Sequence, residues 1–200
     1  ALPICPTAES CRQIRLPHPV LTEAELASII RLDGAADPSN FKTTVLDACY
    51  PVEDGGSGLT RALERLAVEA SEAIRSGSNV IVISDRGADV DMAPVPSLLA
   101  TGAVHHHLIA EKTRTLVGLV VESGDAREVH HVALLLGFGA GGVCPYVAFE
   151  SIDLMLTTGA HGLPATLTPE AARQNFIRAC DKGILKVMSK MGISTVASYT

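Results

Sequence analysis

The chain lacks several features that particular classes of protein need. Its 200 residues include no tryptophan, only 4% are aromatic and 19% are charged, and the net charge is −6. A nucleic-acid-binding surface needs clustered basic residues and aromatic rings for base stacking, and the few scattered ones here supply neither. No apolar run approaches the roughly 18 residues of a membrane-spanning helix. We therefore expect neither nucleic acid nor a membrane as a partner.

Short motifs that hold metals or phosphates are also missing. No CxxC pair occurs, so neither a zinc site nor a disulfide framework is predicted, and reduced thiols in a cytosolic protein are the simplest interpretation. No phosphate-binding GxxxxGK(S/T) motif occurs, and GFGAGG at 137–142 follows a predicted helix, which is the wrong order for a dinucleotide fingerprint. We assign no catalytic residue and no metal ligand. The five cysteines are Cys5, Cys11, Cys49, Cys144 and Cys180.

A repeated strand–helix pattern is the main positive signal. Strands are predicted at Lys42–Ala48, Val80–Ile83 and Leu116–Glu122, with a short fourth strand around Val143. Amphipathic helices between them imply right-handed crossovers and a mostly parallel sheet. Because four strands cannot close a barrel of eight, we expect an α/β fold with an open or incomplete TIM-barrel-like sheet and flanking helices.

The chain divides into three predicted parts. Residues 1–40 are an irregular lead-in with a short helix, and residues 41–160 hold the βα core. Residues 161–200 contain a long helix and then a strand-like run, Ile193–Tyr199. Two capping boxes, in which side chain and backbone bond reciprocally at a helix start, are predicted from Thr22 with Glu25 and from Asp125 with Glu128.

Polar side chains at two strand ends are candidate binding or interface residues. Ser84, Asp85 and Arg86 follow the second strand, and Glu122 and Ser123 end the third. Ligands of parallel α/β folds gather at the carboxyl ends of strands, where these groups could hold a polar substrate or transfer a proton. The alternative is that they cap the following helices and satisfy loop backbone.

The histidines occur in two groups, His105–His107 and His130–His131. Adjacent residues of a helix point about 100° apart, so neighbours within a group cannot chelate one ion together. We expect one histidine of each group to pack or hydrogen-bond in the core. The others then face solvent or a neighbouring domain, and His106 and His131 join the interface candidates.

Five long blocks resemble the central domain of the glutamate synthase large chain. They are LPHPVLTEAEL (16–26), FKTTVLDACYPVEDG (41–55), SDRGADVDMAPVPSLLATGAVHHHLI (84–109), VVESGDAREVHHVALLLGFGAGGVCPYVAFE (120–150) and KGILKVMSKMGISTVASY (182–199). Together they span most of the chain in the order found in that family.

The resemblance implies a larger enzyme that assimilates ammonia. In that family an amidotransferase domain hydrolyses glutamine with an N-terminal cysteine, and the ammonia passes through a tunnel to an FMN-carrying barrel. There 2-oxoglutarate is aminated and reduced to glutamate. The flavin receives electrons through an iron-sulfur cluster. Their donor is either a reductase subunit that uses pyridine nucleotide or ferredoxin. The central domain links the two active domains, and the enzyme is cytoplasmic or lies in the plastid stroma.

Two functions therefore stay open at this point. The first is a scaffold and interface domain that positions the amidotransferase and FMN domains and contributes to the ammonia path, with no cofactor of its own. The second is a free-standing βα enzyme that binds a small polar or phosphorylated substrate through Asp85, Arg86 and Glu122.

Overall fold

The computed structural model describes most of the chain. The predicted irregular stretch before residue 13 and the turn-rich segment 33–40 lie outside the described residues, as do Cys5 and Cys11. No helix in the described part is long and apolar enough to cross a membrane. The described ranges are 13–32, 41–159, 162–164 and 166–200.

A four-stranded parallel sheet forms the centre of the fold. Each strand lies next to the preceding one in the sheet, without a reversal of order. Right-handed crossovers then place the connecting helices on one face, as in a βα barrel and unlike a doubly wound sheet. The prediction of a mostly parallel, open sheet is confirmed. Its strands are β1 (Thr43–Asp47), β3 (Val80–Ser84), β5 (Gly118–Glu122) and β6 (Gly142–Cys144).

Three helices cover the outer face of this sheet, and two more pack further out. The outer side chains of the strands, such as Ile81, Ile83 and Leu119, are buried against α2 and α3. Val121 and Val143 are buried in a second cluster with α4 and α6. The helices are α2 (Gly55–Arg75), α3 (Ser97–Ala110), α4 (Val129–Gly137), α5 (Tyr146–Thr157) and α6 (Pro169–Lys190).

The first helix, α1 (Glu23–Ile30), covers the other face of the sheet. Side chains alternate along a strand, so Val80 and Val82 point away from the outer helices. They pack instead with Leu26 and Ile29 of α1 in a separate buried cluster. A closed barrel fills this space with side chains from all its strands. In this chain α1 removes the inner apolar surface from water.

The start of α1 was predicted correctly and that of α4 was not. Thr22 and Glu25 form both hydrogen bonds of a capping box. Glu128 is the residue before α4, but its side chain makes no capping bond. Asp125 instead accepts a 3.1 Å hydrogen bond from the backbone N–H of Ser97, at the start of α3. A carboxylate is favoured there by the unpaired N–H groups of that helix.

The strand predicted over Ile193–Tyr199 is wrong, because the segment contains a short 3-10 turn, Val196–Ser198. Gly192 has φ +72 and turns the chain back after α6. The Tyr199 ring then lies beside Gly137 of α4. A helix offers no free strand edge, so the segment has no strand partner within the described ranges.

An antiparallel pair of short strands was not predicted. It is formed by β2 (Cys49–Pro51) and β4 (Met92–Pro94), which lie beyond the carboxyl ends of β1 and β3. The backbone N–H of Ala48, between β1 and β2, donates a 2.7 Å hydrogen bond to the carbonyl of Ser84. The antiparallel pair therefore begins immediately after the parallel sheet ends. It shapes one side of the rim, which is the name used here for the carboxyl ends of the parallel strands and the loops after them. The candidate residues Ser84, Asp85, Arg86, Glu122 and Ser123 lie at this rim.

Candidate functional site

The carboxyl ends of β3 and β5 bring the first two candidate residues together. Ser84 and Glu122 are register partners on the two parallel strands, and both are buried. The Ser84 hydroxyl donates a 2.6 Å hydrogen bond to Oε2 of Glu122. The parallel register therefore decides that a hydroxyl faces a carboxylate at this point.

Arg86 gathers three carboxylates at the same rim. Its Nε donates 2.6 Å to Oε1 of Glu122, its Nη2 pairs with Glu23 of α1, and its Nη1 lies 3.7 Å from Glu150. The guanidinium carbon lies 4.2 Å from the centre of the Tyr146 ring, within range of a cation–π contact. Burial alone would lower the pKa of Arg86, but the bonds to Glu122 and Glu23 outweigh it and raise that pKa.

Asp85 is the most buried carboxylate of the rim, with 3% of its surface exposed. The backbone N–H of Gly124 donates 2.9 Å to both of its oxygens, and hydroxyls of Ser97 and Tyr146 also donate to it. Burial raises the pKa of Asp85, while these hydrogen bonds favour the ionised form and oppose the shift. Burial and the charge of Asp85 likewise raise the pKa of Tyr146.

Two buried serines connect this carboxylate to the loop after β5. The Ser97 and Ser123 hydroxyls lie 2.7 Å apart. Ser123 also accepts hydrogen bonds of 3.1 Å from the backbone N–H groups of Asp125 and Ala126. Ser123 thus satisfies loop backbone, as the second interpretation of the strand ends predicted.

The rim residues hold one another. The carboxylate of Glu122 accepts from Ser84 and Arg86, and that of Asp85 accepts from Gly124 and two hydroxyls. A phosphate site needs donors that are free to face the ligand. In the described part of the rim Arg86 is surrounded by carboxylates. Arg65 donates to the backbone carbonyls of Asp47 and Cys49, so neither arginine fits a phosphorylated substrate or the phosphate of a flavin.

The histidines of α3 have different partners, as the helical geometry predicted, although the rings of His105 and His106 lie 5.2 Å apart at an angle of 82°. His105 accepts a 3.0 Å hydrogen bond at Nδ1 from Arg114. His107 Nε2 lies 2.8 Å from the Ser71 hydroxyl, which also donates to Glu111. The hydroxyl has one proton, so its donation to Glu111 leaves His107 Nε2 as the donor in the contact with Ser71. Among the described residues no group of three or more His, Cys, Asp or Glu could hold a metal ion.

His106 and His131, the two histidine candidates, line an apolar groove instead of the rim. The groove, called here the α3–α4 groove, has two depressions that share Pro96 and Leu98. The larger measures about 560 Å³ and is lined by Leu99, Gly102, Ala103, His106 and Phe138. The smaller measures about 310 Å³ and contains Asp125, Ala126, His131, Leu134 and Leu135.

Three residues of the rim network were not among the predicted candidates. Ser97 follows Pro96 at the start of α3, Tyr146 follows β6, and Glu23 lies in the first turn of α1. The position of Tyr146 after a strand was a usable signal. Nothing in the sequence links Glu23 to Arg86, 63 residues later, because that contact depends on α1 crossing the inner face.

Comparison with known proteins identifies the family. The sequence profile described as the glutamate synthase central domain matches residues 3–200. This chain belongs to the glutamate synthase central domain family. Glutamate synthase (NADH) of Schizosaccharomyces pombe is 43% identical over 189 residues, which is 94% of this chain and 9% of that protein. The glutamate synthase (NADPH) large chain of Bacillus subtilis is 36% identical over 197 residues, which is 97% of this chain and 12% of that protein.

A plant relative and one solved fold complete the comparison. The chloroplastic ferredoxin-dependent glutamate synthase of Spinacia oleracea is 38% identical over 204 residues, covering 96% of this chain and 12% of that protein. This central domain thus spans about a tenth of the relatives it matches. A flavocytochrome b2 variant with benzoylformate has a TM-score of 0.54 at 17% identity, covering 67% of this chain and 31% of that one. This likeness concerns the fold.

Proposed function

We propose that this chain is the connecting domain of a glutamate synthase, which makes glutamate from glutamine, 2-oxoglutarate and a reductant. It holds an amidotransferase domain and an FMN domain of the same polypeptide in position and contributes to the ammonia path between them. It carries no cofactor itself, whereas the whole enzyme uses FMN and an iron-sulfur cluster. Family membership and the small share of each relative that the chain spans support this proposal.

The hydrogen bonds among the rim residues are the observation that supports a non-catalytic role for this domain. Catalysis in βα barrels takes place at the carboxyl ends of the strands, with side chains that are free to meet a substrate. Here Ser84, Asp85, Glu122 and Ser123 are buried and bonded to one another or to backbone. The groups that would bind a substrate instead stabilise the loops of this domain.

The names of the relatives support a proposal for the electron donor and the compartment. Relatives named for NADH, NADPH and ferredoxin match this chain similarly well. We therefore propose that electrons come either from a pyridine nucleotide through a reductase subunit or from ferredoxin. We propose the cytoplasm as the compartment, or the plastid stroma for an enzyme of the chloroplastic type.

The test separates the two half-reactions in the full-length enzyme. Arg86→Met disturbs the rim while leaving the proposed active domains unchanged. We expect ammonia-dependent glutamate formation to stay within about twofold of wild type, whereas removal of an acid–base or electrostatic catalyst costs about a hundredfold or more. Glutamine-dependent formation, compared with glutamine hydrolysis, reports the coupling and is expected to fall.

Glu150→Gln is the matched control, because its carboxylate is exposed and lies 3.7 Å from the same guanidinium. It is expected to change neither reaction. If Arg86→Met abolishes ammonia-dependent glutamate formation in a folded enzyme, the rim is catalytic and the free-standing enzyme becomes the better interpretation.

A further inference from the structure

The two helices that border the α3–α4 groove contain no charged side chain. Neither Ser97–Ala110 nor Val129–Gly137 includes an aspartate, glutamate, lysine or arginine. Helices at a protein surface usually carry charges on the face turned to water. The neighbouring helix α2 does so, with charged side chains at Arg61, Glu64, Arg65, Glu69, Glu72 and Arg75.

Among the residues that the structure describes, the packing of the helices leaves the groove open. α3 packs closely on α2, and α4 packs closely on α6, but α3 and α4 touch each other only lightly. Large apolar side chains are exposed beside the groove: Leu99 is 44% exposed and Phe138 is 41% exposed. Gly102 allows the Phe138 ring to lie against α3, since an added Cβ would be 3.2 Å from its Cδ1. Leu99 and Phe138 both line the larger depression.

We propose that the α3–α4 groove is the docking surface for an apolar, uncharged segment of another domain of the same polypeptide. This inference rests on the proposed function, because it places that other domain next to this one. The chain spans about a tenth of its relatives' length, so most of such a polypeptide lies outside it. Apolar side chains that line a concave depression are the usual setting of a binding site.

The chemistry of the groove sets the chemistry of its occupant. Fixed charges are missing from both helices, so a nucleic acid or an acidic lipid surface would find no cation there. His106 and His131 supply hydrogen-bonding groups, one in each depression, and the Asp125 carboxylate in the smaller one is bound by the backbone N–H of Ser97. An apolar segment with a few neutral polar atoms matches this lining, and burying it removes both surfaces from water.

Thiol labelling of the full-length enzyme tests whether the groove is covered. Leu99→Cys and Val68→Cys are matched, because Leu99 is 44% exposed in this chain and Val68 of α2 is 53% exposed. With the labelled peptides quantified by mass spectrometry, position 99 should react with maleimide at least about tenfold more slowly than position 68, since interface cores exclude water. Equal rates would overturn the proposal. Phe138→Cys is the second variant if Leu99→Cys fails to fold.

A photo-crosslinking amino acid at position 138 identifies the occupant. The full-length enzyme is prepared as an equal mixture of light- and heavy-isotope copies. Crosslinks confined to one copy and reaching another domain are expected. Mixed-isotope crosslinks between two α3–α4 grooves would show that a second copy covers the surface and would overturn the proposal. The absence of any protein crosslink would overturn it as well, because the activated group would then have met only water. Slow labelling at position 99 would support a covered groove even if the coupling of the two reactions were unchanged in Arg86→Met. In that case the proposed role in coupling would fail while the docking surface would stand.

Discussion

Ser84 and Glu122 face each other across β3 and β5 at a hydrogen-bond distance of 2.6 Å. The same carboxylate binds Arg86 with its other oxygen. A strand-end serine, a strand-end glutamate and the arginine two residues after that serine therefore act as one unit. That unit lies at the carboxyl ends of the strands, where barrel enzymes hold their substrates.

Replacing Glu122 with glutamine should destabilise the domain by about 2–3 kcal/mol, the usual contribution of hydrogen bonds to a charged group. The amide loses the charge that pairs with Arg86, and its N–H₂ faces the Ser84 donor. Urea unfolding measures the loss. Glu150→Gln, at an exposed contact of 3.7 Å, is the control and should change stability by less than about 0.5 kcal/mol. Equal effects of the two variants would show that the rim contact contributes little.

Gly183→Ala should destabilise the packing of α6 on α4. An added Cβ would lie 2.3 Å from Cγ1 of Val129, too close for two carbon atoms. Overpacking costs about 1–3 kcal/mol and the better helix propensity of alanine returns about 1 kcal/mol, so a net loss of up to about 2 kcal/mol is expected.

The control for Gly183 is Gly56→Ala in the first turn of α2, where no heavy atom lies within 4 Å of the added Cβ. This variant should be neutral or slightly stabilising in thermal unfolding. A stable Gly183→Ala variant would mean that α6 is free to move away from α4.

Acidification should weaken the fold through His105. Burial lowers the pKa of His105 below its ordinary value of 6.5, and the charges of Arg114 and His106 act in the same direction. Below 6.5 the unfolded chain therefore binds a proton that the folded chain refuses, so this contribution to stability falls as the pH drops through that window.

Urea unfolding at about pH 7.5 and about pH 5 checks this expectation, because stability follows the difference in bound protons. His105→Gln keeps an acceptor for Arg114 and should reduce the loss of stability between the two pH values. His130→Gln removes an exposed imidazole from α4 and serves as the control. The idea fails if His105→Gln and His130→Gln change the pH dependence alike.

The buried thiols should be unreactive until the domain unfolds. Burial raises the pKa of Cys49 and Cys144 to about 12 and that of Cys180 to about 11, so very little thiolate forms at neutral pH. A Cys5→Ser, Cys11→Ser double variant leaves these three residues. Ellman's reagent should react slowly with the native protein and rapidly in urea. Fast reaction of one native thiol would contradict the buried positions.

The local features of the fold could be predicted from the sequence. Alternating strand and helix patterns located the four parallel strands, and the Thr22–Glu25 capping box located α1, because these signals depend on neighbouring residues. The predicted boundaries at residues 40 and 160 stay predictions. The Asp125–Glu128 box failed because Asp125 binds the start of a different helix. The strand over Ile193–Tyr199 failed because its surroundings provide no strand edge.

The roles of the candidate residues depended on distances that a linear pattern does not contain. Ser84, Asp85, Arg86, Glu122 and Ser123 do meet, since parallel strands bring their carboxyl ends to one edge. Whether they face a ligand or one another depended on Tyr146, Ser97 and α1, which arrive from distant parts of the chain.

The sequence by itself determined the βα order, the polar strand ends, the uncharged helices α3 and α4, and the family. These are properties of residue type and spacing, and they survive without coordinates. Tertiary structure alone decided that the strand-end residues bond to one another and that His106 and His131 line the α3–α4 groove. The physical reason is that burial and hydrogen-bond partners are set by long-range packing, which brings Glu23 to Arg86 across 63 residues.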